Sequence, residues 1–291
     1  MDLVLNLGKR ASTLPVQVPP VGRSISYDPP CMALQSNVVT CATMQSMKCL
    51  AIGNAKGGTG KTSLAVNLAA ALAEKGDSVL LVDFDPQGSS TVWLDVRSDG
   101  SDLVESLRVG KLCGMRLVRK GIDLMPSGAQ LATIGAPMLA GHPVPTKLKD
   151  ALAGSNLSHK WVLIDCAPSV GPLVYNALAA ADGVLVPCEC SALALDGLAD
   201  FENVIAAIRA INPSLTLVGV QPVRTNRTLH SKEALEILGS RYGKRLMEPV
   251  PDTVQMRDAA GSRKTIFELD LKSKAADSFR SAVQFIKKAG L

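Results

Sequence analysis

A glycine-rich loop with two lysines is the part of this 291-residue chain whose residue types point most directly to chemistry. Residues 56–62 read KGGTGKT and lie between an apolar segment, 49–54, and a run of Leu and Ala at helical spacing. Glycines let backbone N–H groups surround a phosphate, and the N-terminus of the following helix adds the positive end of its dipole. The lysine and threonine of a GKT sequence reach the β and γ phosphates and Mg²⁺. The loop therefore predicts a site for a nucleoside triphosphate.

The loop differs at one position from the usual pattern GxxxxGK[ST], because Ala55 stands where the first glycine is expected. It also carries a second lysine, Lys56, directly before the double glycine. A lysine inside a loop built for phosphate is hard to explain as an ordinary surface charge, so we predict that Lys56 contacts the nucleotide. The predicted nucleotide-binding residues are consecutive: Lys56, Gly57, Gly58, Thr59, Gly60, Lys61, Thr62 and Ser63.

Three aspartates stand at the ends of predicted strands. Asp83 and Asp85 lie in LVDFDPQG, and Asp165 ends WVLID. Open α/β sheets bind ligands beyond the carboxyl ends of their strands, so these carboxylates are expected to face the phosphate loop. Four apolar residues followed by Asp form the Walker B arrangement, whose carboxylate faces Mg²⁺. We predict that Thr62, Asp85 and Asp165 hold Mg²⁺.

Apolar strands alternate with helices from residue 47 onward. This alternation indicates an α/β fold with a mostly parallel twisted sheet and helices on both faces, as in P-loop NTPases. The chain has no internal repeats, and we expect one domain over residues 47–291. The predicted strands are 49–54, 78–83, 122–125, 161–165, 183–187 and 216–221, and the predicted helices are 62–74, 198–211, 231–240 and 275–288.

Residues 1–46 differ from the rest in being rich in Pro, Ser, Thr and Val with few charges. We predict a flexible N-terminal extension, which could be a genuine tail, an organelle transit peptide, or the product of a start assigned upstream of Met44 or Met47. The whole chain is 47% apolar and only 3% aromatic, with a net charge of +5. That charge favours a polyanion or an anionic surface as a partner without deciding between them. No apolar run reaches the roughly 18 residues of a membrane span, so we expect no stable membrane association.

Three segments together resemble one family. KGGTGKT, LVDFDPQG and VLIDCAPSVG are similar to the deviant Walker A, A′ and B motifs of the ParA/MinD group of P-loop ATPases, and VRTNRT and VPDTVQMRDA favour ParA over MinD. The resemblance runs from about residue 47 to the C-terminus. It implies slow hydrolysis of ATP with Mg²⁺ by an ATP-bound homodimer. Lys56 would reach the partner's nucleotide and Asp85 would position the attacking water, so both are predicted to be catalytic.

The resemblance also implies partners. ParA dimers bind DNA without sequence preference, and a ParB-like DNA-binding partner stimulates hydrolysis during chromosome or plasmid segregation. Arg224 matches one DNA-binding arginine of the family, whereas the second family position falls at Gln255. Arg227 and Arg257 are the further candidates, with Arg257 as a substitute for the missing arginine. These properties imply a cytoplasmic, nucleoid-associated protein. Residues 1–46 are too short and too rich in proline for a helix-turn-helix domain, so no operator binding is expected.

Two other classes of function remain as alternatives. A MinD-like membrane switch needs an amphipathic C-terminal helix, which Phe279, Val283 and Ile286 could provide, although we expect that helix to be packed in the domain. A metabolic P-loop enzyme or an iron–sulfur reductase is the second alternative, and Cys113 and Cys166 are its candidate cluster ligands. The cargo also stays open, since a chromosome, a plasmid or a protein assembly can use the same ATPase core.

Overall fold

The computed structural model describes residues 47–134, 146–190 and 192–290, with the backbone alone for 192–196. The prediction of a flexible extension over residues 1–46 lies outside the described residues. The described residues contain a seven-stranded sheet with the order β3-β4-β2-β5-β1-β6-β7. Neighbouring strands are parallel except for β3, which pairs antiparallel with β4 at one edge. The predicted α/β fold with a mostly parallel sheet is confirmed.

All six predicted strands are present, most with ends shifted by one or two residues. The seventh, β3, was not predicted, because RLVR is short, charged and largely exposed at the sheet edge. The strands are β1 Lys48–Ile52, β2 Val79–Phe84, β3 Arg116–Arg119, β4 Ile122–Met125, β5 Trp161–Cys166, β6 Gly183–Glu189 and β7 Thr216–Val223.

The four predicted helices are also present, together with shorter helices that the sequence did not reveal. Helix α6 begins six residues before the predicted start at 198 and ends at Ile208 instead of at 211. The helices are α1 Lys61–Glu74, α2 Ser89–Trp93, α3 Ser101–Val109, α4 Lys147–Ala153, α5 Pro172–Ala180, α6 Ala192–Ile208, α7 Leu229–Tyr242, α8 Val254–Gly261, α9 Ile266–Leu269 and α10 Lys274–Lys288.

Two apolar layers cover the two faces of the sheet. One contains the buried residues of α1, α9 and α10, and the other contains those of α3 to α7. Helix α1 is packed in the first layer with Leu64, Leu68 and Leu72 all 0–1% exposed. Such burial of aliphatic side chains is the main stabilising contribution to a fold of this kind. The phosphate loop is thus attached to a strand and a helix that are both held firmly in the core.

The C-terminal helix α10 is a packed element of the domain. Phe279, Val283 and Ile286 are at most 1% exposed, and all three belong to the same apolar layer as α1. The side chains that a membrane-binding helix would insert into lipid are therefore already buried in protein, as the sequence led us to expect. No helix in the described part of the chain is both long and apolar enough to span a bilayer.

Sheet register brings the acidic residues together. Asp83 on β2 is the register partner of Asp165 on β5, and Asp165 is in turn the partner of Ile52 on β1. The loop that follows β1 therefore starts beside the two aspartates. Because all three strands are parallel, the predicted phosphate loop and its acidic neighbours share one edge of the sheet.

Candidate nucleotide site

The loop between β1 and α1 has a backbone that needs glycine. Gly58 and Gly60 have φ angles of 74° and 79°, in the left-handed region that other residues seldom adopt. Gly57 and Gly58 are exposed, whereas Thr59 is fully buried and anchors the loop. Lys61 is the first residue of α1. The loop thus presents an exposed glycine backbone at a helix N-terminus, which is the arrangement that binds phosphate.

The two lysines of the loop have different surroundings. Lys61 is only 6% exposed, and its Nζ donates a hydrogen bond to the carbonyl of Lys56 at 2.8 Å. Burial lowers the pKa of Lys61, while the nearby Asp165 and Asp85 act in the opposite direction. Lys56 is half-buried, and its ammonium makes no hydrogen bond or ion pair with any described residue. Lys61 is therefore directed into the loop, and Lys56 is available to bind outside it.

Asp165 is a buried carboxylate with one oxygen unused. Ser90 Oγ donates to its Oδ2 at 2.7 Å, whereas its buried Oδ1 has no hydrogen-bond partner among the described residues. Burial raises the pKa of Asp165, and interactions with Ser90, Thr62 and Lys61 oppose the rise. A buried, unpartnered acceptor is costly unless something binds it. Oδ1 is thus suited to coordinate a cation or to accept a hydrogen bond from a cation-bound water.

The predicted Mg²⁺ site fits these residues. Mg²⁺ usually takes one or two protein oxygens and completes its shell with phosphate oxygens and water. Asp165 and Thr62 offer such oxygens beside the phosphate loop. In the described part of the chain, no group of three or more His, Cys, Asp or Glu side chains could hold a metal ion without other ligands.

Asp83 fixes the local structure and leaves no oxygen open for a ligand. Its Oδ2 accepts from Thr91 N at 2.8 Å and from Thr91 Oγ1 at 2.7 Å, and its Oδ1 accepts from Asp85 N at 3.3 Å. Asp83 thereby holds the start of α2, from which Ser90 reaches Asp165. Ser90 and Thr91 were not predicted as site residues. Their only signal was their position directly after the LVDFDPQG motif.

Asp85 lies on the turn that follows β2. Its side chain is buried, and Oδ1 accepts a hydrogen bond from Gln87 N at 3.0 Å. Burial raises the pKa of Asp85, while the charge of Lys61 lowers it. A carboxyl with a raised pKa is a better proton acceptor, which suits a group that positions or activates water. The roles of Asp85 in positioning water and in binding Mg²⁺ both stay predictions.

A cavity of about 140 Å³ adjoins the loop at the first turn of α1. The other walls come from the end of β7, from the segment 250–252, from α8 and from α10. The cavity is lined mainly by apolar side chains with a few charged groups at its rim. Its lining residues are Gly60, Ser63, Leu64, Val223, Arg224, Val250, Pro251, Asp252, Met256, Arg257, Ala260 and Phe279. The sequence did not identify this cavity, because its walls come from five separate segments.

Known proteins are similar to this chain in sequence and fold. A family model described as an AAA domain matches residues 47–217. The chromosome-partitioning ATPase Soj of Thermus thermophilus is 38% identical over 79% of this chain and 92% of its own length. The chromosome partitioning protein ParA of Caulobacter vibrioides is 32% identical over 80% of this chain and 91% of its own length. The chain belongs to the ParA/Soj family of ATPases.

A solved structure supports the same conclusion at the level of the fold and the bound ligands. The structure of cobyrinic acid a,c-diamide synthase from Mycobacterium smegmatis with ADP and magnesium is 33% identical to this chain, with a TM-score of 0.72. The similarity covers 84% of this chain and 97% of the synthase chain. For this ParA/Soj member, the predictions of a P-loop ATPase and of ATP with Mg²⁺ as its cofactors are confirmed at the level of the family.

The ParA/Soj resemblance assigned DNA contact to basic residues, and the structure shows where they lie. Arg224 follows β7 with a φ of 53°, and Arg227 lies in the same loop before α7. Both are exposed. Arg257 on α8 is exposed as well and pairs with Asp252 at 2.7 Å, while Gln255 is exposed on the same helix. Arg224 and Arg257 share the rim of the cavity beside the loop. The DNA-binding role of these arginines stays a prediction.

The buried aspartates give a testable pH dependence of stability. Burial raises the pKa of Asp83 and Asp165 above the ordinary value of 3.8, and the charge of Asp165 adds to the rise at Asp83. At a pH above 3.8, these two carboxyls therefore hold protons in the folded chain that they have lost in the unfolded chain. Unfolding then releases protons, so stability falls as the pH rises. We expect the Tm of the protein without nucleotide and Mg²⁺ to be higher at about pH 5.5 than at about pH 8.

Two substitutions sharpen this pH test. Asp83→Asn removes one titrating carboxyl, so the difference in Tm between the two pH values should shrink. Asp258→Asn changes an exposed aspartate of α8 and should leave the difference as it is. A Tm that increases from pH 5.5 to pH 8 in the wild-type protein would contradict the expectation. Calorimetry or thermal-shift measurements in EDTA are suitable.

Proposed function

We propose that this protein is a DNA-partitioning switch whose ATP-bound form is a homodimer. The observation that carries the proposal is the pair of lysines in one loop. Lys61 is directed into the interior of the loop, while Lys56 is half-buried and its ammonium pairs with none of the residues that the structure describes. A single subunit needs only the GKT lysine for phosphate binding. A second, free lysine beside the same phosphates suits a contact with the nucleotide of another copy.

Each described residue of the site has a role in this proposal. The glycine backbone of the loop and Lys61 bind the phosphates, and Thr62 and Asp165 hold Mg²⁺, which neutralises charge on the phosphate oxygens when bound. Asp85 accepts a hydrogen bond from the attacking water. Ser90 keeps the Asp165 carboxylate in place through its hydrogen bond to Oδ2. Catalysis here is mainly positioning and charge neutralisation, as expected for phosphoryl transfer.

In this proposal the nucleoside part of ATP binds in the cavity beside the loop. The cavity adjoins Gly60 and Ser63, so a base and ribose there would connect directly to phosphates on the loop. Apolar walls with a few polar rim groups are typical of small-molecule sites. The same rim carries Arg224 and Arg257, which brings the proposed DNA-binding residues next to the nucleotide.

DNA contact through the exposed arginines is the second half of the proposal. The Arg257–Asp252 pair is exposed on both sides, and such pairs contribute only about 0–1 kcal/mol. The arginine is therefore free to exchange its partner for a DNA phosphate. Binding of this kind has no sequence preference and weakens steeply with salt, because neutralised phosphates release counterions. A ParB-like partner would then stimulate hydrolysis and release the dimer from DNA at the nucleoid.

The function is tested by ATP-dependent binding to random-sequence DNA. We expect wild-type protein to bind with ATP and Mg²⁺ and to bind at least tenfold more weakly with ADP. Arg224→Glu should lose most of this affinity, because it replaces a phosphate contact by a like charge. Arg97→Glu makes the same charge change at an exposed arginine on another loop and should bind nearly as well as wild type. Equal binding by Arg224→Glu and wild type would remove the assigned DNA face.

The name of the Mycobacterium smegmatis structure favours one other candidate, an ATP-dependent enzyme that forms amides on cobyrinic acid. The two candidates differ in what accelerates ATP hydrolysis. A partitioning switch should respond to DNA and to a ParB-like protein, whereas an amide-forming enzyme should respond to cobyrinic acid with an amino donor. We propose the partitioning role because the two sequence relatives named above carry it in their names.

A further inference from the structure

The backbone of Lys56 is fixed on both sides by side chains. Its N–H donates to Asn54 Oδ1 at 3.1 Å. Its carbonyl accepts from Thr59 Oγ1 at 3.2 Å and from Lys61 Nζ at 2.8 Å. The Lys56 ammonium, in contrast, makes no such contact within the residues described. The direction in which this side chain leaves the loop is therefore set by its backbone.

Asn54 connects the loop to a second strand. The residue is 1% exposed, and its Nδ2 donates to the carbonyl of Pro187 on β6 at 2.7 Å. An asparagine side chain offers both an acceptor and a donor, and both are used here. Replacing it with alanine would remove the hydrogen bonds to the Lys56 N–H and to the Pro187 carbonyl at the same time. No other contact described for the Lys56 N–H could compensate.

Helix α6 lies next to the first atoms of the Lys56 side chain. A Cβ added at Gly197 would lie 3.5 Å from Lys56 Cβ and 3.8 Å from Asn54 Oδ1. The start of the Lys56 side chain thus lies between the Asn54 amide and the backbone of α6. A lysine side chain has many rotamers. Because the Lys56 backbone is held by hydrogen bonds and its Cβ lies beside α6, the ammonium can reach fewer directions.

We propose that Asn54 is a positioning residue for Lys56, and that its bridge between Lys56 N and Pro187 O aims the lysine at the nucleotide of a second copy of this chain. This inference rests on the proposed role of Lys56 across the dimer. Asn54 touches neither nucleotide nor metal in this role and acts only through Lys56. Its loss should therefore affect the turnover of the dimer much more than the binding of ATP to one subunit.

The first measurement compares ATP affinity with turnover in Asn54→Ala. We expect the Kd for ATP to stay within about threefold of wild type, because the glycine backbone and Lys61 remain. Turnover at saturating ATP should fall roughly 10- to 100-fold, as expected when a reacting group is misplaced by about 1 Å. Asn54→Asp keeps the acceptor for the Lys56 N–H, so its turnover should exceed that of Asn54→Ala. If the alanine variant does not fold, the turnover of Asn54→Asp provides the test.

A double-mutant cycle with Lys56→Ala separates positioning from a general structural effect. If Asn54 acts through Lys56, adding Asn54→Ala to Lys56→Ala should lower turnover no further. Asn67→Ala is the matched control, since Asn67 is equally buried, donates from Nδ2 to Ser63 O at 2.8 Å and accepts from Ile266 N at 2.8 Å. It should lower Tm and leave turnover per folded protein unchanged.

The outcomes distinguish this inference from the function on which it rests. Losses that multiply in the double mutant, or normal turnover in Asn54→Ala, would overturn the positioning role of Asn54 and leave the role of Lys56 intact. Normal turnover in Lys56→Ala would overturn the role of Lys56 and the present inference together. A loss in Asn54→Ala that vanishes on the Lys56→Ala background supports both.

Discussion

Lys56→Ala is expected to hydrolyse ATP roughly 10³-fold or more slowly than wild type while keeping most of its affinity for ATP. The structure gives the physical reason, because the Lys56 ammonium makes no hydrogen bond or ion pair with any described residue of its own subunit. A cation delivered from a second subunit to a transferring phosphoryl group contributes about 10³–10⁵ in rate in comparable phosphate chemistry. The Kd for ATP should change little, since Lys61 and the loop backbone remain in place.

The measurement pairs a nucleotide-binding titration with steady-state turnover as a function of protein concentration. Wild-type turnover per subunit should rise with protein concentration, because only the dimer contains the complete site. Lys56→Ala should lose that dependence together with its turnover. Lys75→Ala, which removes an exposed lysine just after α1, should behave as wild type. Normal turnover by Lys56→Ala would refute the contact between subunits.

Asp85→Asn is expected to bind ATP and dimerise but to hydrolyse roughly 10²–10⁴-fold more slowly, the range that general base catalysis supplies. The amide keeps an oxygen that can accept the Gln87 N–H, so the turn after β2 should survive the change. What it loses is the negative charge that accepts a hydrogen bond from water. The variant should then accumulate as an ATP-bound dimer on DNA.

Size-exclusion chromatography with ATP, together with DNA binding over time, measures this accumulation. Wild-type protein should leave DNA as ATP is consumed, whereas Asp85→Asn should stay bound. Asp83→Asn is the contrasting change in the same motif, because Asp83 accepts hydrogen bonds from Thr91 and Asp85 N and leaves no oxygen open. It should lower Tm without trapping a dimer. Rapid release of Asp85→Asn from DNA would show that another group positions the water.

Sequence patterns predicted the core of the fold because burial is encoded locally. Apolar strands such as VLLVDF and WVLIDC are continuous runs that fit a sheet covered on both faces, and both were found. The edge strand β3 was missed since RLVR has no such run, and its place depends on pairing with β4. The short helices α2 and α9 are likewise too brief to show a period.

The sequence by itself also predicted the phosphate-binding chemistry. A GKT sequence between a strand and a helix needs no distant residue to form a phosphate site, because the glycine backbone and the helix N-terminus supply the binding groups. The sequence likewise predicted that Asp165 ends a strand, because four apolar residues precede it directly. The extra lysine Lys56 was recognisable for the same reason, since it stands inside this short segment.

Only the tertiary structure decided how these groups are supported. Asn54 bonds to Pro187, 133 residues away, and Ser90 bonds to Asp165, 75 residues away. Such contacts leave no period or spacing in the sequence, because they arise when strands from distant parts of the chain pair in register. The same holds for Asp165 Oδ1, which has no hydrogen-bond partner among the described residues, and for the buried face of α10, because the burial of both depends on what packs against them. Thus the sequence determined which groups can do the chemistry, and the folded sheet decided which of them are held, buried or free.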